Sequence, residues 1–410
     1  MMRATMQGTK KVLFLVYVAL LSTIGLFASD LYLPALANIQ QFYQTNAGNV
    51  GLSLSIYMAG FSFGQLFYGA LSDQLGRKAP LVVGLALFLA GTLGCLYATN
   101  IEVFLLCRLI QSIGCCAAYV LWQPMIVDLF EGHEVQKLFT MMMALGGLSP
   151  ALAPLIGGYV TAAFGWKMVF WLLFALTLAL LAWTLFIYRE SLAPANRSRF
   201  SASRVLKSYG SFLSSRFFMG HAGAIACGIT QYLVFLSLLP FILSHIGYSA
   251  STIGLMYLPI ALTFIAGTEV AKRLYPSLGD GGCMRAGIIL GCTGAALLFI
   301  TPFFIPITSA WKIITPFCLI TFGNGFLVPT GSAYLIKHFA NQAGACASSL
   351  GFMVTTVAFV SISVASLLTA SLGMTGAMTA TILLFATLMA LSFIWSHKSR
   401  AERELAINVE

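Results

Sequence analysis

Long apolar runs alternate with short polar segments along almost the whole chain. Most runs hold about 20 residues or slightly more, and a helix of that length, rising about 1.5 Å per residue, crosses roughly 30 Å of hydrocarbon. The pattern predicts an all-α membrane protein with transmembrane helices near residues 11–36, 48–70, 79–98, 102–124, 137–162, 168–188, 217–243, 251–272, 284–304, 310–335, 344–369 and 374–396. The first run is too long for a secretory signal and many similar runs follow it.

Lysine and arginine are distributed unevenly over the connections between these twelve predicted spans. With the N-terminus placed inside, nineteen of them lie in inside segments, and only Lys167 and Lys312 lie outside, while Arg108 falls within a span. Cytoplasmic loops of membrane proteins carry such an excess. We therefore predict that both termini are cytoplasmic. The net charge of +10 then reflects topology and contact with anionic lipid, and no nucleic-acid partner is expected.

The longest hydrophilic stretch, residues 188–216, divides the predicted spans into six plus six. This layout predicts two six-helix bundles joined by a cytoplasmic linker. We expect an N-terminal bundle over residues 1–188, the linker over 189–216, a C-terminal bundle over 217–396 and a cytoplasmic tail over 397–410.

Composition excludes several classes of protein. Charged residues make up 8% of the chain and hydrophobic residues 59%, whereas soluble domains carry about 25% charged residues. The nine cysteines lie mostly in apolar runs without C-x-x-C or metal-ligand spacing, so they are expected to pack between helices. The chain also has no phosphate loop, nucleophile elbow or paired carboxylates. We predict neither an enzyme nor an ATP-driven pump, no metal, and no cofactor other than an ion gradient.

The loop after the second predicted span reads GALSDQLGRK. Its glycines, Gly69 and Gly76, permit a tight reversal, and Asp73 can pair with Arg77 or Lys78. An ordinary basic cytoplasmic loop is the alternative. The segment resembles the G-x-L-a-D-r-x-G-r-K signature of the major facilitator superfamily, and the resemblance implies a latch that tightens and releases during alternating access.

The fourth predicted span contains the segment RLIQSIGCCAAYVLWQ. A guanidinium inside a membrane span is costly unless it is paired or hydrated, so Arg108 is a functional candidate. One helical stripe carries Arg108, Gln111, Cys115, Tyr119, Trp122 and Gln123. The stripe suits a cavity wall, with simple helix packing as the alternative. The segment resembles the R-x-x-q-G motif of the same superfamily, which is tied to proton coupling, although Ser112 replaces its glycine.

The fifth predicted span contains ALGGLSPALAPLIGGYV. Pro150 and Pro154 each remove a backbone hydrogen bond, and small residues such as Gly157 and Gly158 allow close helix approach. The segment resembles the antiporter motif of the superfamily, which implies export. Ala153 stands where that motif has the glycine of its Gly-Pro pair.

A single carboxylate, Asp30, lies near the outer end of the first predicted span, four residues before Pro34. Its depth overlaps that of Arg108 within about two helical turns. Low dielectric favours the neutral acid and a nearby guanidinium favours the carboxylate, so the pair can act as a switchable proton site. The alternative is an interfacial Asp capping a helix that begins near Leu33. The segment SDLYLPALANI resembles the first span of Bcr/CflA drug/proton antiporters, which implies a mechanism with one carboxylate.

Further polar and aromatic residues are candidates for the cavity wall, with core packing as the alternative. They are Tyr57, Phe61 and Gln65 in the second span, Gln231, Tyr232 and Phe235 in the seventh, and Asn324 in the tenth.

Together these observations predict a monomeric proton-coupled antiporter of the major facilitator fold that exports drug-like small molecules across the bacterial inner membrane. Its expected partners are the small-molecule substrate, protons and membrane lipid. The alternatives are an exporter of an endogenous metabolite such as a siderophore or amino acid, a proton-coupled importer, and a non-transporting membrane sensor.

Overall fold

The computed structural model describes residues 8–197 and 210–407, which contain helices and no strand. The helices are α1 (Thr9–Asp30), α2 (Leu36–Phe42), α3 (Ala47–Leu75), α4 (Lys78–Tyr97), α5 (Ile101–Leu129), α6 (His133–Phe164), α7 (Lys167–Phe186), α8 (Arg216–His245), α9 (Ala250–Leu255), α10 (Tyr257–Phe304), α11 (Trp311–His338) and α12 (Ala343–Ile407). Short 3-10 turns cover Leu33–Ala35, Pro194–Asn196 and Ala340–Gln342.

Two of these helices are much longer than one membrane crossing, and each contains one glycine with left-handed backbone geometry. Gly279 in α10 has φ 63° and ψ −175°, and Gly373 in α12 has φ 69° and ψ 171°. Glycine accepts this conformation because it has no Cβ. Both breaks fall between two predicted spans, so the apolar runs on either side of each glycine form separate helical rods.

The described residues contain ten helical segments that are long and apolar enough to cross a membrane. Their surfaces are apolar where a soluble protein would be charged. The side chain of Phe186 is 85% exposed, that of Phe304 is 79% exposed, and that of Arg108 is 0% exposed. Apolar residues outside and a charged residue inside are the arrangement expected of helices surrounded by lipid.

Two compact units account for the described residues. The first contains Met1–Thr45 and Ile56–Ala202, and the second contains Asn46–Ser55 and Ser203–Glu410. The beginning of α3 groups with the second unit, where the Ser55 hydroxyl donates to the Phe359 carbonyl at 2.8 Å. Residues 198–209, the middle part of the predicted linker, lie outside the described residues.

In the first unit, glycines let α4 and α5 approach closely. A Cβ added at Gly91 would collide with the backbone nitrogen of Gln111, and one added at Gly114 would collide with that of Phe88. The R-x-x-q-G motif has a glycine where this chain has Ser112. In this chain Gly114 makes the close contact with α4 instead. The hydroxyl of Ser112 instead packs against Gly60 of α3.

Candidate functional site

Helix α1 ends at Asp30, and the side chain of this residue is buried. Its Oδ1 accepts a hydrogen bond from the Ser29 hydroxyl at 2.8 Å. The chain then turns through Tyr32 into the 3-10 turn that contains Pro34, and no side chain caps that turn. The structure therefore differs from the alternative in which Asp30 caps a helix beginning near Leu33.

Arg108 on α5 places its guanidinium against the end of α1. Its Nη1 donates to the Ala28 carbonyl at 3.2 Å and to Gln111 Oε1. The guanidinium carbon lies 4.2 Å from the ring centre of Tyr32 and 4.4 Å from that of Tyr57. Carbonyls in the last turn of a helix lack intrahelical partners and carry the negative end of the helix dipole, so this is a favourable place for a cation.

The guanidinium nevertheless retains unused donors. Arg108 Nε and Nη2 are buried without a hydrogen-bond partner. Within the part of the chain that the structure describes, Arg108 and Asp30 form no ion pair within 4.0 Å. The expected direct tie between the two charges is therefore absent in this conformation, and a neutral shell of carbonyl, amide and aromatic groups surrounds the arginine.

A second layer of hydrogen bonds holds this shell in place. Gln111 Nε2 donates to the Thr92 hydroxyl at 2.7 Å, and the Tyr57 hydroxyl donates to the Gly25 carbonyl at 2.8 Å. The Tyr57 hydroxyl oxygen also lies 2.8 Å from Cys115 Sγ. The sequence reasoning missed Tyr32 and Thr92. Tyr32 belongs to the D-x-Y-L-P-A-L segment, which was a usable signal, whereas no local pattern distinguishes Thr92.

The glycine-rich part of α6 packs against the same end of α1. A Cβ added at Gly157 would overlap the Leu31 carbonyl, one residue after Asp30. Gly158 and Pro154 are buried beside it, and Pro150 is half-buried one turn earlier. The segment that resembles the antiporter motif thus contacts the chain directly beside the buried carboxylate.

Aromatic residues continue from this site along α3 and α5. The Phe61 ring stacks on Tyr57 with centres 6.2 Å apart and meets the half-buried Tyr119 edge-on at 5.0 Å. Trp122 is buried with its ring 5.2 Å from that of Phe139. The side chains of Gln65 and Gln123 are half-buried. The structure thus brings most of the predicted stripe together in the first unit.

The turn between α3 and α4 depends on one glycine rather than two. Gly76 has φ 92°, and its added Cβ would collide with the Glu190 carboxylate. Gly69 lies inside α3, where an added Cβ would meet no atom within 4 Å. The expectation that Gly69 contributes to the reversal is wrong, because α3 continues helically to Leu75.

Arg77 lies at the centre of a polar network beside this turn. Its Nε donates to Asp128 at 2.9 Å, and its Nη1 donates to Asp73 and to the Ser72 hydroxyl. Burial lowers the pKa of the Arg77 guanidinium, but hydrogen bonds to Asp128 and Asp73 raise this pKa, and the net effect is upward. The charge of Arg77 is therefore fixed at any physiological pH.

Glu190 follows α7 in the chain, and its carboxylate caps the beginning of α4. Its carboxylate accepts the backbone N–H of Arg77 at 2.8 Å and that of Lys78 at 3.0 Å. Lys78 Nζ in turn donates to the carbonyls of Leu185 and Tyr188, each at 2.9 Å. A carboxylate at a helix N-terminus satisfies free N–H groups and complements the helix dipole. The sequence reasoning missed both Glu190 and Asp128.

Tyr188 and Ser191 extend this network. The Tyr188 hydroxyl donates to Ser191 at 2.9 Å, and the Ser191 hydroxyl donates to Asp128 at 2.9 Å. Burial raises the pKa of the Tyr188 hydroxyl, so this group remains a donor at physiological pH.

Two predicted residues of the second unit, Asn324 and Gln231, bind backbone carbonyls of α8. Asn324 Nδ2 donates to the Gly228 carbonyl at 2.9 Å, and Gln231 Nε2 donates to the Cys227 carbonyl at 3.4 Å. Gln231 Oε1 is buried without a hydrogen-bond partner. Tyr232 is half-buried on the same helix.

Phe235 has a packing role in the second unit. Its ring stacks on Phe317 with centres 3.5 Å apart. This contact joins α8 to α11 in an apolar core.

Comparison with known proteins gives the family. The model of the Major Facilitator Superfamily matches residues 18–363. The chain is 27% identical over 350 residues to the MFS-type transporter YdgK of Bacillus subtilis, and 25% identical over 348 residues to multidrug resistance protein D of Escherichia coli. Each alignment covers 84% of this chain and 86% of the relative.

A solved structure has the same fold. The crystal structure of a POT family transporter in complex with 5-aminolevulinic acid aligns with a TM-score of 0.76 at 12% identity, over 97% of this chain and 98% of that chain. The family match over residues 18–363, with these relatives and the apolar helices, shows that the chain belongs to the Major Facilitator Superfamily and is a multi-pass membrane transporter rather than an enzyme.

Proposed function

We propose that this transporter is a proton-coupled antiporter that exports small organic molecules by alternating access. One observation carries the proposal: the buried Asp30 and the buried Arg108 meet the same end of α1 without pairing with each other. A buried charge without a carboxylate partner is costly, so such an arrangement is retained where it serves a function.

Protonation of Asp30 is the coupling step in this proposal. The neutral acid is compatible with the present arrangement, in which Arg108 binds the Ala28 carbonyl and two tyrosine rings. When Asp30 ionises, its carboxylate attracts the unused Nε and Nη2 donors of Arg108. That attraction draws the end of α1 towards α5 and changes the shape of the adjacent aromatic wall.

Helix α6 transmits this movement. Gly157 contacts the Leu31 carbonyl without a side chain between them, so a shift at the end of α1 displaces α6 directly. At the far end of the first unit, the Arg77 network holds or releases the turn between α3 and α4. The first contact connects the proton site to the segment that resembles the antiporter motif, and the second network holds the segment that resembles the latch motif.

The topology in this proposal has twelve membrane spans, with both termini in the cytoplasm and the chain acting as a monomer. The breaks at Gly279 and Gly373 support twelve spans, because each divides a long apolar helix into two of ordinary length. The excess of lysine and arginine on one side supports the orientation. Bacterial relatives support location in a bacterial inner membrane.

Drug-like compounds are the proposed cargo. The relative from Escherichia coli is named a multidrug resistance protein, and the segment around Asp30 resembles Bcr/CflA transporters. The aromatic wall formed by Tyr57, Phe61 and Tyr119 supports amphipathic cargo of varied shape, since ring faces bind many compounds without strict geometry.

Proton flux in everted membrane vesicles tests the proposal. Addition of a transported compound to wild-type vesicles should release protons, as reported by a pH-sensitive dye, and Asp30→Asn should abolish the release. Glu269→Gln is the matched control, because this carboxylate is exposed and already paired with Arg273 at 3.3 Å. Equal signals from wild type and Asp30→Asn would refute Asp30 as the proton carrier.

Export of an endogenous metabolite with a carboxylate is the second candidate function. Two nitrogen atoms without hydrogen-bond partners, Nε and Nη2 of the fully buried Arg108 guanidinium, favour an anionic or zwitterionic cargo. Competition assays separate the two candidates: carboxylate-bearing compounds should inhibit wild-type transport more strongly than matched amides if the metabolite function is correct. Equal inhibition by acid and amide would favour drug-like cargo.

A further inference from the structure

A polar cavity of about 430 Å³ lies in the second unit, apart from the site around Asp30. It is formed by the beginning of α8, the Gly279 break in α10, and parts of α11 and α12. Its polar wall consists of His221, Asp280, Arg285, Tyr334 and Ser396. No step of the proposed antiport mechanism uses these residues.

Arg285 supplies a cation that is held at the cavity wall. Arg285 is exposed, and its Nε donates to the Gly281 carbonyl at 3.2 Å, which places the guanidinium beside the Gly279 break. Over residues 8–197 and 210–407, Arg285 is in no ion pair. Its Nη groups are therefore available to a ligand with several acceptor oxygens.

Gly279 and Gly281 leave open space beside this guanidinium. A Cβ added at Gly279 would meet no atom within 4 Å, and one added at Gly281 would meet Arg285 Nη2 at 3.7 Å. The absence of side chains from these positions keeps the approach to Arg285 clear.

Buried groups line the opposite wall. His221 is 3% exposed, and its Nδ1 donates to the Phe217 carbonyl at 2.9 Å. The Tyr334 ring lies 5.4 Å from the His221 ring, and the hydroxyl-bearing side chain of Ser396 is also buried. The Ser396 hydroxyl donates its proton to the Phe393 carbonyl at 2.7 Å, so Arg285 is the charged ligand that this wall faces.

Two residues of the cavity wall carry a full charge, Arg285 and Asp280. Within the described part of the chain they form no ion pair with each other within 4.0 Å. The Asp280 carboxylate accepts a hydrogen bond from the Tyr275 hydroxyl at 3.0 Å. Its negative charge repels an anion, so neutralising Asp280 should strengthen anion binding, whereas neutralising Arg285 should weaken it.

We infer that this cavity binds a phosphate-bearing anion, with Arg285 as its charged ligand. The phosphate belongs either to a soluble phosphate compound or to the headgroup of an anionic lipid, since both present the same oxygens to the guanidinium. The inference does not rest on proton antiport, because the site is tested by binding and not by transport.

Binding to the full-length protein tests this inference directly. Purified protein in detergent is titrated with inorganic phosphate by calorimetry. Protein in phosphatidylcholine nanodiscs, with or without phosphatidylglycerol, is analysed for retained phosphatidylglycerol by native mass spectrometry. Arg285→Gln should weaken binding at least about tenfold, because a charge-assisted hydrogen bond is lost. Asp280→Asn should strengthen binding.

Arg273→Gln is the matched control, since Arg273 is an exposed arginine on the same helix that does not line the cavity. Loss of inorganic phosphate binding in Arg285→Gln alone identifies a soluble ligand. Loss of phosphatidylglycerol retention in Arg285→Gln alone identifies a lipid headgroup. The inference is overturned if wild type binds neither probe, if Arg273→Gln has the same effect as Arg285→Gln, or if Asp280→Asn weakens binding.

Discussion

A guanidinium buried without a carboxylate partner requires other acceptors, and Arg108 finds them at the end of α1. The Ala28 carbonyl and Gln111 accept its Nη1 hydrogen bonds, and the faces of Tyr32 and Tyr57 cover its two sides. Cation–π contacts of this kind contribute about 2 kcal/mol or more when they are desolvated. The planar shape of arginine is essential, because a compact ammonium does not fit between two rings and bind two acceptors.

Substitutions of Arg108 and Tyr32 test this description. Arg108→Lys should abolish transport although the positive charge is kept, because lysine lacks the planar fork. Tyr32→Phe should keep most activity, since the ring face remains, whereas Tyr32→Leu should lose about tenfold or more. Initial rates of efflux from cells with equal amounts of transporter provide the measurement. Full activity of Tyr32→Leu would show that the ring is not needed.

At the scale of helices, close backbone contacts determine where the site residues lie. Gly157 of α6 touches the Leu31 carbonyl, and Gly91 of α4 touches α5 beside Gln111. Small residues at such crossings let two helices approach until their backbones meet. The helices therefore hold Asp30 and Arg108 at one depth without requiring an ion pair between them.

Alanine substitutions at two glycines of α6 test the role of this contact. Gly157→Ala should push the end of α1 away and reduce transport strongly, because the new Cβ overlaps backbone and typical overpacking costs about 1–3 kcal/mol. Gly147→Ala should have little effect, since its Cβ meets no atom within 4 Å. Substrate-dependent proton release by the two variants gives the comparison. Equal rates would contradict the proposed contact between α6 and α1.

A second pair of glycines tests the turn between α3 and α4. Gly76→Ala should lower the melting temperature and reduce transport, because its φ of 92° strains an L-residue and its Cβ meets Glu190. Gly69→Ala should keep or slightly raise the melting temperature, since alanine favours the helix by about 0.5–1 kcal/mol. Thermal unfolding of the purified proteins measures both. A destabilised Gly69→Ala with an unaffected Gly76→Ala would reverse this assignment.

Local patterns located most helices and the residues at the centre of the site. Apolar runs predicted α4 within about one residue at each end, and the isolated charges of Asp30 and Arg108 marked the two residues that meet at the end of α1. A charge inside an apolar run is a strong signal because its burial is costly.

Residues that act through distant partners were missed for a physical reason. Asp128 is 51 residues from Arg77, and Glu190 is 113 residues from it. Asp128 lies in the last turn of α5 and Glu190 in the connection after α7, where a carboxylate is common and carries no periodic signal. Only the folded arrangement of α4, α5 and α7 shows that they share one network. For the same reason the role of Gly69 was predicted wrongly, since the residue where α3 ends depends on this network.

At the scale of the whole molecule, the distribution of lysine and arginine predicts the orientation of the chain. Fusion of green fluorescent protein to the C-terminus should give fluorescent cells, because that protein folds in the cytoplasm. Alkaline phosphatase inserted after Asn100, in the connection between α4 and α5, should be active, since this connection is predicted to lie outside. The opposite pair of activities would invert the topology and refute the proposed cytoplasmic location of both termini.

The central claim is that Asp30 couples protons to cargo without being needed for cargo movement itself. Proteoliposomes containing wild type or Asp30→Asn, loaded with a fluorescent compound that wild type transports, test it most directly. The account predicts that Asp30→Asn keeps equilibrium exchange of the compound at equal pH on both sides but loses accumulation driven by a pH gradient. Gradient-driven accumulation by Asp30→Asn at the wild-type level would contradict the account and exclude this carboxylate as the coupling group.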